Sequence, residues 1–269
     1  MIINSKYRII QLIGKGGFSK VYLAQHIYTD EYVAIKVEKT NTQTPILKHE
    51  AEIYLYLQKS NVNITPKFKL YGNHGKKYTY ITLQYIKNNL QSYLKENKSL
   101  SIKKTCDFGI QILDLIKKLH QTGIVHRDIK PGNFVFDDSK ICIIDFGLSK
   151  YYMKEEEHII YKKGYKIIGT AKYVSINVHN GVEYSRRDDM ESFIYMLFEL
   201  YNGFLPWSYC ICKDKEVTHK IMKYIKNNVD YKKVFKSGCD MLVQILDYIK
   251  IMKYDEEPNY EWIKEKLTI

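Results

Sequence analysis

The chain of 269 residues lacks any apolar run of the ~18–20 residues that a membrane-crossing helix needs. Its first ten residues, MIINSKYRII, lack the basic-then-apolar order of a secretory signal. No membrane partner is expected, and the expected location is intracellular, cytoplasmic or nuclear. Cysteine is sparse: Cys106, Cys142, Cys210, Cys212 and Cys239 are odd in number and irregular in spacing. The Cys-Ile-Cys at 210–212 has no matching Cys or His pair. Free, reduced thiols are therefore expected, not a disulfide frame or a zinc site. Arginine is scarcest of all. Of the 42 basic residues only Arg8, Arg127, Arg186 and Arg187 are Arg, against thirty-eight Lys. With abundant Ile, Asn and Tyr, this suggests an AT-rich coding sequence, from a protist or a large DNA virus; a viral source would add the virion to the expected locations. Where drift favours Lys, an Arg marks a place that needs a planar, bidentate guanidinium.

What is present is a globular composition, 45% hydrophobic and 27% charged, with a net charge of +12. The lysines are scattered, with no interleaved aromatic stripe, so nucleic acid is not expected as the main partner. The charge suits acidic or phosphorylated proteins instead. Nothing in the sequence specifies an oligomeric state.

Residues 7–38 read as strands, in YRIIQLIG, KVYLAQHI and EYVAIKVE. A helix should follow, with Thr44 as its cap and Pro45 in its first turn. Ile46, Glu50, Ile53 and Leu57 then share one face. Glu50 on an apolar stripe needs a cation, because an unpaired buried carboxylate is costly; Glu52 can stay solvated. KFKLYG and YTYITLQY read as two more strands. SIKKTCDFGIQILDLIKKLH reads as a long helix capped by Ser101. Residues 188–201 are apolar nearly all round and should form a buried helix. THKIMKYIKNN and DMLVQILDYIKIMKY complete a helical half. The expected class is α+β, in two lobes: 1–86, strand-rich, and 87–269, mainly helical. The chain stops soon after its last helix, so no long regulatory tail is expected.

The chemistry lies in four motifs. GKGGFSKV joins two strands, and Gly14, Gly16 and Gly17 let backbone N–H groups close over phosphate oxygens. VAIKVE puts Lys36 on the next strand, as the cation Glu50 needs. GIVHRDIKPGNFVF packs His126, Arg127, Asp128, Lys130 and Asn133 between apolar runs. That is either a buried ion network or an acid, a base and a metal ligand at fixed spacing. IIDFGLSK adds Asp145. The order Gly loop, strand Lys, helix Glu, HRD, Asn, DFG resembles the eukaryotic protein kinases from about residue 7 to the C-terminus.

That resemblance implies a bilobal protein-kinase fold that uses ATP with Mg²⁺, or Mn²⁺. It implies that Asp128 accepts the substrate hydroxyl proton and that Lys130 neutralises the transferring phosphoryl group. Asn133 and Asp145 would hold the metal, and Lys36, paired with Glu50, the α/β-phosphates. ATP would also meet Ile13, Gly14, Lys15, Gly16, Gly17, Phe18, Ser19, Val21 and Ala34. Leu83 would guard the rear of the adenine pocket, and the backbone of Gln84 to Ile86 would form the hinge. Ser19 stands where a third loop glycine is usual. His126 and Phe146 are expected to pack, not to catalyse. Thr170 should contact Asp128 and Lys130. Asp189 should open the buried helix as a cap, brace the catalytic-loop backbone, or do both.

The usual APE after the activation segment is missing. GTAKYVSINVHNGVEYSRRDDMES stands there, with SIN in the place of APE, and this is similar to the casein kinase 1 family. DFGLSK, EAEIY and MKYDEEPNYEWI agree. The vaccinia-related kinases share SRR and GKGGF but usually lack the Arg of HRD, which is Arg127 here. Lys130-Pro131 resembles Ser/Thr kinases. The casein kinase 1 resemblance implies constitutive activity, with Arg127 satisfied by an anion or by one of Glu155–Glu157. It also implies protein substrates with acidic or phosphorylated neighbours, read by Lys172, Lys166 and Lys220. A silent scaffold is disfavoured, because Lys36, Glu50, Asp128, Asn133 and Asp145 are all present.

Overall fold

The computed structural model describes residues 2–17, 19–40, 45–210 and 212–269. Phe18 and Thr44, both singled out above, lie outside the described residues. Two compact units are present. The first comprises residues up to Asn88 together with Val135–Gly147; the second holds Asn89–Phe134 and Leu148–Ile269. The strand-rich unit thus includes one segment beyond residue 86. Val135–Gly147 joins the strand-rich unit because Ile143 donates its N–H to the Ile64 carbonyl (2.8 Å). Val135 and Cys142 also bury their side chains against Ile86.

The first unit is a curled antiparallel sheet with one helix. Strands β1 (Ile2–Ile3), β2 (Tyr7–Lys15), β3 (Ser19–His26), β4 (Tyr32–Lys39), β5 (Phe68–His74) and β6 (Tyr78–Gln84) lie in the order β1-β2-β3-β4-β6-β5. Alternation along β4 buries Val33 and Ile35 and leaves Tyr32 exposed. Between β4 and β5 runs α1 (Ile46–Lys59), with Leu47, Glu50, Ile53, Tyr54 and Leu57 on its buried face. Pro45 stands just before α1, not in its first turn, and makes no side-chain cap. The orphan amide of Leu47 is met from the sheet instead: buried Glu38 on β4 accepts it at 3.2 Å.

The second unit is mainly helical: α2 (Leu90–Asn97), α3 (Ile102–Gln121), α4 (Ile176–His179), α5 (Arg186–Asn202), α6 (Lys215–Asn228), α7 (Tyr231–Val234), α8 (Asp240–Ile251) and α9 (Tyr260–Leu267). Ser101 caps α3 by accepting from Lys104 N–H (3.2 Å). Buried α5 packs against α3 and α8. It begins at Arg186, two residues before the expected start. Its cap is Ser185, with Asp188 closing a capping box; Asp189 lies inside the first turn and does not cap. No described helix is long and apolar enough to cross a membrane.

The scarce arginines have a structural explanation here. Arg186 donates to the Asp255 carbonyl (2.7 Å) while its guanidinium covers the Tyr152 ring at 4.9 Å. Arg187 donates to the Met252 carbonyl (2.8 Å) over the Tyr254 ring at 5.7 Å. A planar guanidinium can stack and donate at once, where an ammonium offers a point charge.

Candidate active site

In the first unit the site is built around Lys36. On β4 it pairs with Val21 of β3 and Ile81 of β6, which fixes the side-chain direction. Its Nζ lies 2.6 Å from Glu50 Oε2 and 2.6 Å from Asp145 Oδ1. Burial alone would lower the Lys36 ammonium, but the two carboxylates hold it well above its ordinary value. Glu50 is 1% exposed, whereas the Asp145 carboxylate is 40% exposed. Asp145 sits in left-handed backbone (φ 69°) and donates its N–H to the Tyr54 hydroxyl (3.2 Å). Such conformations persist where the surroundings over-determine them. Phe146 is buried edge-on against Tyr54. A Cβ at Gly147 would lie 2.6 Å from Ile46 Cγ2, so any other residue there would force that side chain to move.

The glycine turn joins β2 to β3 and is closed by the Gly16 N–H on the Ser19 carbonyl (2.9 Å). A Cβ at Gly17 would meet no protein atom within 4 Å, so a ligand could approach this backbone closely. Lys15 pairs with Lys20 and Gly14 with Val21, and Ile13 is partly exposed on β2. Ala34 pairs with buried Leu83, at the far end of the same sheet register. Gln84 gives its N–H to the Lys67 carbonyl (2.9 Å).

In the second unit Asp128 is the hub. Its Oδ1 accepts from the Thr170 N–H (3.0 Å) and hydroxyl (2.7 Å). Its Oδ2 accepts from Lys130 Nζ (2.5 Å) and Asn133 Nδ2 (3.3 Å). Lys130 also reaches the Thr170 hydroxyl (3.1 Å), and Asn133 Nδ2 donates to the Asp128 carbonyl (2.8 Å). Thr170 can come this close because Gly169 precedes it (φ 101°); a Cβ at 169 would lie 2.5 Å from the Arg127 carbonyl. Arg127 is left-handed too (φ 71°). Asp189 braces it, accepting from the His126 N–H (2.7 Å) and the Arg127 N–H (2.9 Å). Holding a non-glycine residue there costs about 1–3 kcal/mol, which these two charge-assisted bonds offset. His126 is fully buried, and its Nδ1 accepts the Asp128 N–H (3.3 Å).

The three lysines expected to read substrate charge differ. Lys166 and Lys220 are exposed. Lys172 is not a free cation: it pairs with buried Glu199, which also takes the Tyr173 hydroxyl. Arg127 is not met by Glu155–Glu157, which lie on an exposed hairpin. The carboxylates whose charges attract it are Glu183, which lines the same cavity and pairs with Lys150 (2.7 Å), and Asp189.

One residue gave no sequence signal. Lys226 of α6 is fully buried and donates to the Val174 (2.6 Å) and Ala171 (3.1 Å) carbonyls, with His179 Nε2 at 3.1 Å and the Tyr195 and Trp207 rings beside it. As one of thirty-eight lysines it looked like surface. It pins the segment just after Thr170. Burial, the Lys226 charge and His219 push the His179 imidazole far below its ordinary 6.5. Folded His179 thus refuses a proton that the unfolded chain accepts. The contribution of His179 to stability should be full above pH 6.5 and fall as the medium is acidified below it, by at most about 1.4 kcal/mol per pH unit. Urea unfolding at stepped pH checks this. His179→Gln should flatten the acid limb, and an equally steep limb in that variant would contradict it.

In the first unit Asp145 offers carboxylate oxygens, and in the second Asn133 offers an amide oxygen; each is a hard donor of the kind that suits Mg²⁺. Among the described residues no three His, Cys, Asp or Glu side chains cluster as an all-protein metal cage. A family model of the protein kinase domain matches residues 7–253. The chain belongs to the protein kinase family, the phosphotransferases that take ATP and a divalent metal to protein substrates.

Proposed function

We propose that the chain is an active, casein kinase 1-like Ser/Thr protein kinase acting near acidic or phosphorylated residues. The single observation that carries activity is the Lys36 ammonium bound to both Glu50 and Asp145. Kinases require the strand Lys–helix Glu pair and the DFG Asp in place before transfer. A silent scaffold would have no need to maintain it.

The roles follow from the donors and acceptors. Asp128 is the base. A carboxylate has about four acceptor sites, and here Thr170, Lys130 and Asn133 fill them. A substrate hydroxyl must therefore displace one donor. Lys130 is partly exposed, and its departure from Asp128 Oδ2 would both free the base and bring a cation to the phosphoryl oxygens. Bound Mg²⁺, for which the kinase resemblance names Asp145 and Asn133, would neutralise phosphate charge. Lys36 would hold the α/β-phosphates. The glycine turn would cover the phosphates with its N–H groups. Leu83 would back the adenine. With the Gln84 N–H committed to Lys67, the hinge donor would come from Ile86. Residues 1–86 would serve ATP and 87–269 catalysis and protein substrate, with Val135–Gly147 added to the ATP side.

Family placement rests on SIN at 175–177 in the absence of APE, and on Arg127, which argues against the vaccinia-related group. Lys130-Pro131 supports Ser/Thr specificity. For substrate charge, Lys166 and Lys220 are the better readers, since Glu199 neutralises Lys172. Each is a screened surface charge, worth about 1 kcal/mol or tenfold at most. Lys166→Glu with Lys220→Glu should lower kcat/KM on a phosphorylated peptide more than on its neutral counterpart, and added salt should compress the difference. An unchanged ratio would remove both lysines from substrate reading.

A further inference from the structure

The bonds that fix the catalytic-loop backbone do not stop at Asp189. His120, buried in the last turn of α3, places Nε2 3.0 Å from Asp189 Oδ2 and Nδ1 2.7 Å from the Tyr260 hydroxyl on α9. The direction of each hydrogen bond follows from the chemistry. Burial alone would raise the Asp189 carboxyl, but bonds from His120 and from the His126 N–H hold it below its ordinary value. An ionised carboxylate only accepts, so His120 Nε2 carries a hydrogen, and in the neutral imidazole Nδ1 is then the acceptor. Burial keeps the Tyr260 phenol protonated, so Tyr260 donates to Nδ1. The chain of donors thus runs from Tyr260 to His120 to Asp189, whose two oxygens receive the His126 and Arg127 amides.

We propose that Tyr260 is a positioning residue for phosphoryl transfer, holding through His120 and Asp189 the left-handed turn at Arg127 that aims Asp128. The proposal rests on the kinase reading. Without the Tyr260 O–H, Nδ1 becomes a buried acceptor with no donor. The imidazole then gains by turning its ring, and any such turn removes the directed Nε2–H from Asp189. The carboxylate would meet the two backbone amides with one fewer restraint, at the residue whose backbone is strained. Tyr260 is 140 residues from His120 in sequence, so the last helix takes part in setting the catalytic loop.

Tyr260→Phe keeps the ring and deletes one oxygen, so it preserves the packing. Loss of one buried hydrogen bond predicts a fall in kcat of about three- to tenfold, with KM for ATP and for peptide within about twofold. Amide hydrogen exchange, measured without ATP, should quicken at His126 and Arg127 by about the same factor, while the α9 amides keep their protection. A second variant separates relay from support. If the hydroxyl acts through His120, adding Tyr260→Phe to His120→Asn should cost nothing further. Unchanged kcat and exchange in Tyr260→Phe, exchange raised alike in α9 and the catalytic loop, or additive losses in the double variant would each overturn the relay. A wild type that transfers no phosphoryl group would instead overturn the kinase reading, and the exchange measurement would still decide the relay.

Discussion

Asp128→Asn is expected to lower the phosphoryl-transfer rate about 10²–10⁴-fold, the usual contribution of a general base, with ATP affinity nearly unchanged. The substitution keeps the shape of the side chain. An amide oxygen in the place of Oδ1 can still accept from the Thr170 N–H and hydroxyl. An amide nitrogen in the place of Oδ2 would face two donors, Lys130 Nζ and Asn133 Nδ2. Lys130 is partly exposed and can turn to water, so the fold should lose little. The basicity is lost outright. Single-turnover transfer, with ATP affinity and melting temperature measured on the same preparation, checks this. A loss smaller than tenfold would remove Asp128 from the role of base.

Lys36→Met should lower transfer by at least about 10²–10³-fold, as expected when a donor to the reacting phosphates is removed. It should also destabilise the fold, because Glu50 would keep a buried carboxylate with no cation. Breaking a fully buried pair costs about 3–5 kcal/mol. The cost here should be nearer 1–3 kcal/mol, because Asp145 is partly solvated and Glu50 can take up a proton. Uptake gives the sign. A carboxyl buried without its cation has a folded pKa raised above the unfolded value. It therefore destabilises least in acid and most as pH rises through the folded value. The deficit of Lys36→Met relative to wild type should be larger at pH 8 than at pH 5. Adding Glu50→Leu should restore stability without restoring transfer. Recovery of transfer in that double variant would mean that the pair serves stability alone.

The sequence made the Lys36–Glu50 pair legible because both partners carry a local signal. Lys36 follows a glycine loop on a strand, and Glu50 interrupts an apolar helical stripe. Thr170, Asp128 and Lys130 were legible only through family order, since nothing local says that residue 170 returns to residue 128. Contacts made by abundant residue types were not legible. Lys226 and Lys172 differ from exposed lysines only in what packs on them from far along the chain: Trp207 and Val174 on the first, Glu199 on the second. The cap of α5 was misread because Asp188 and Asp189 are adjacent acids on a one-turn register, and the backbone alone decides which closes on Ser185. The helix α1 hid its support in the same way: a glutamate on a strand, Glu38, serves its first free amide.

The most direct test of the central claim, that this fold transfers the γ-phosphoryl group of ATP to Ser or Thr, is a γ-radiolabelled ATP assay on casein, with wild type and Asp145→Ala side by side and the phosphorylated amino acid identified. The account predicts label on Ser or Thr with wild type and none above background with a folded Asp145→Ala. Equal labelling by the two proteins, label on Tyr, or none from either would contradict it.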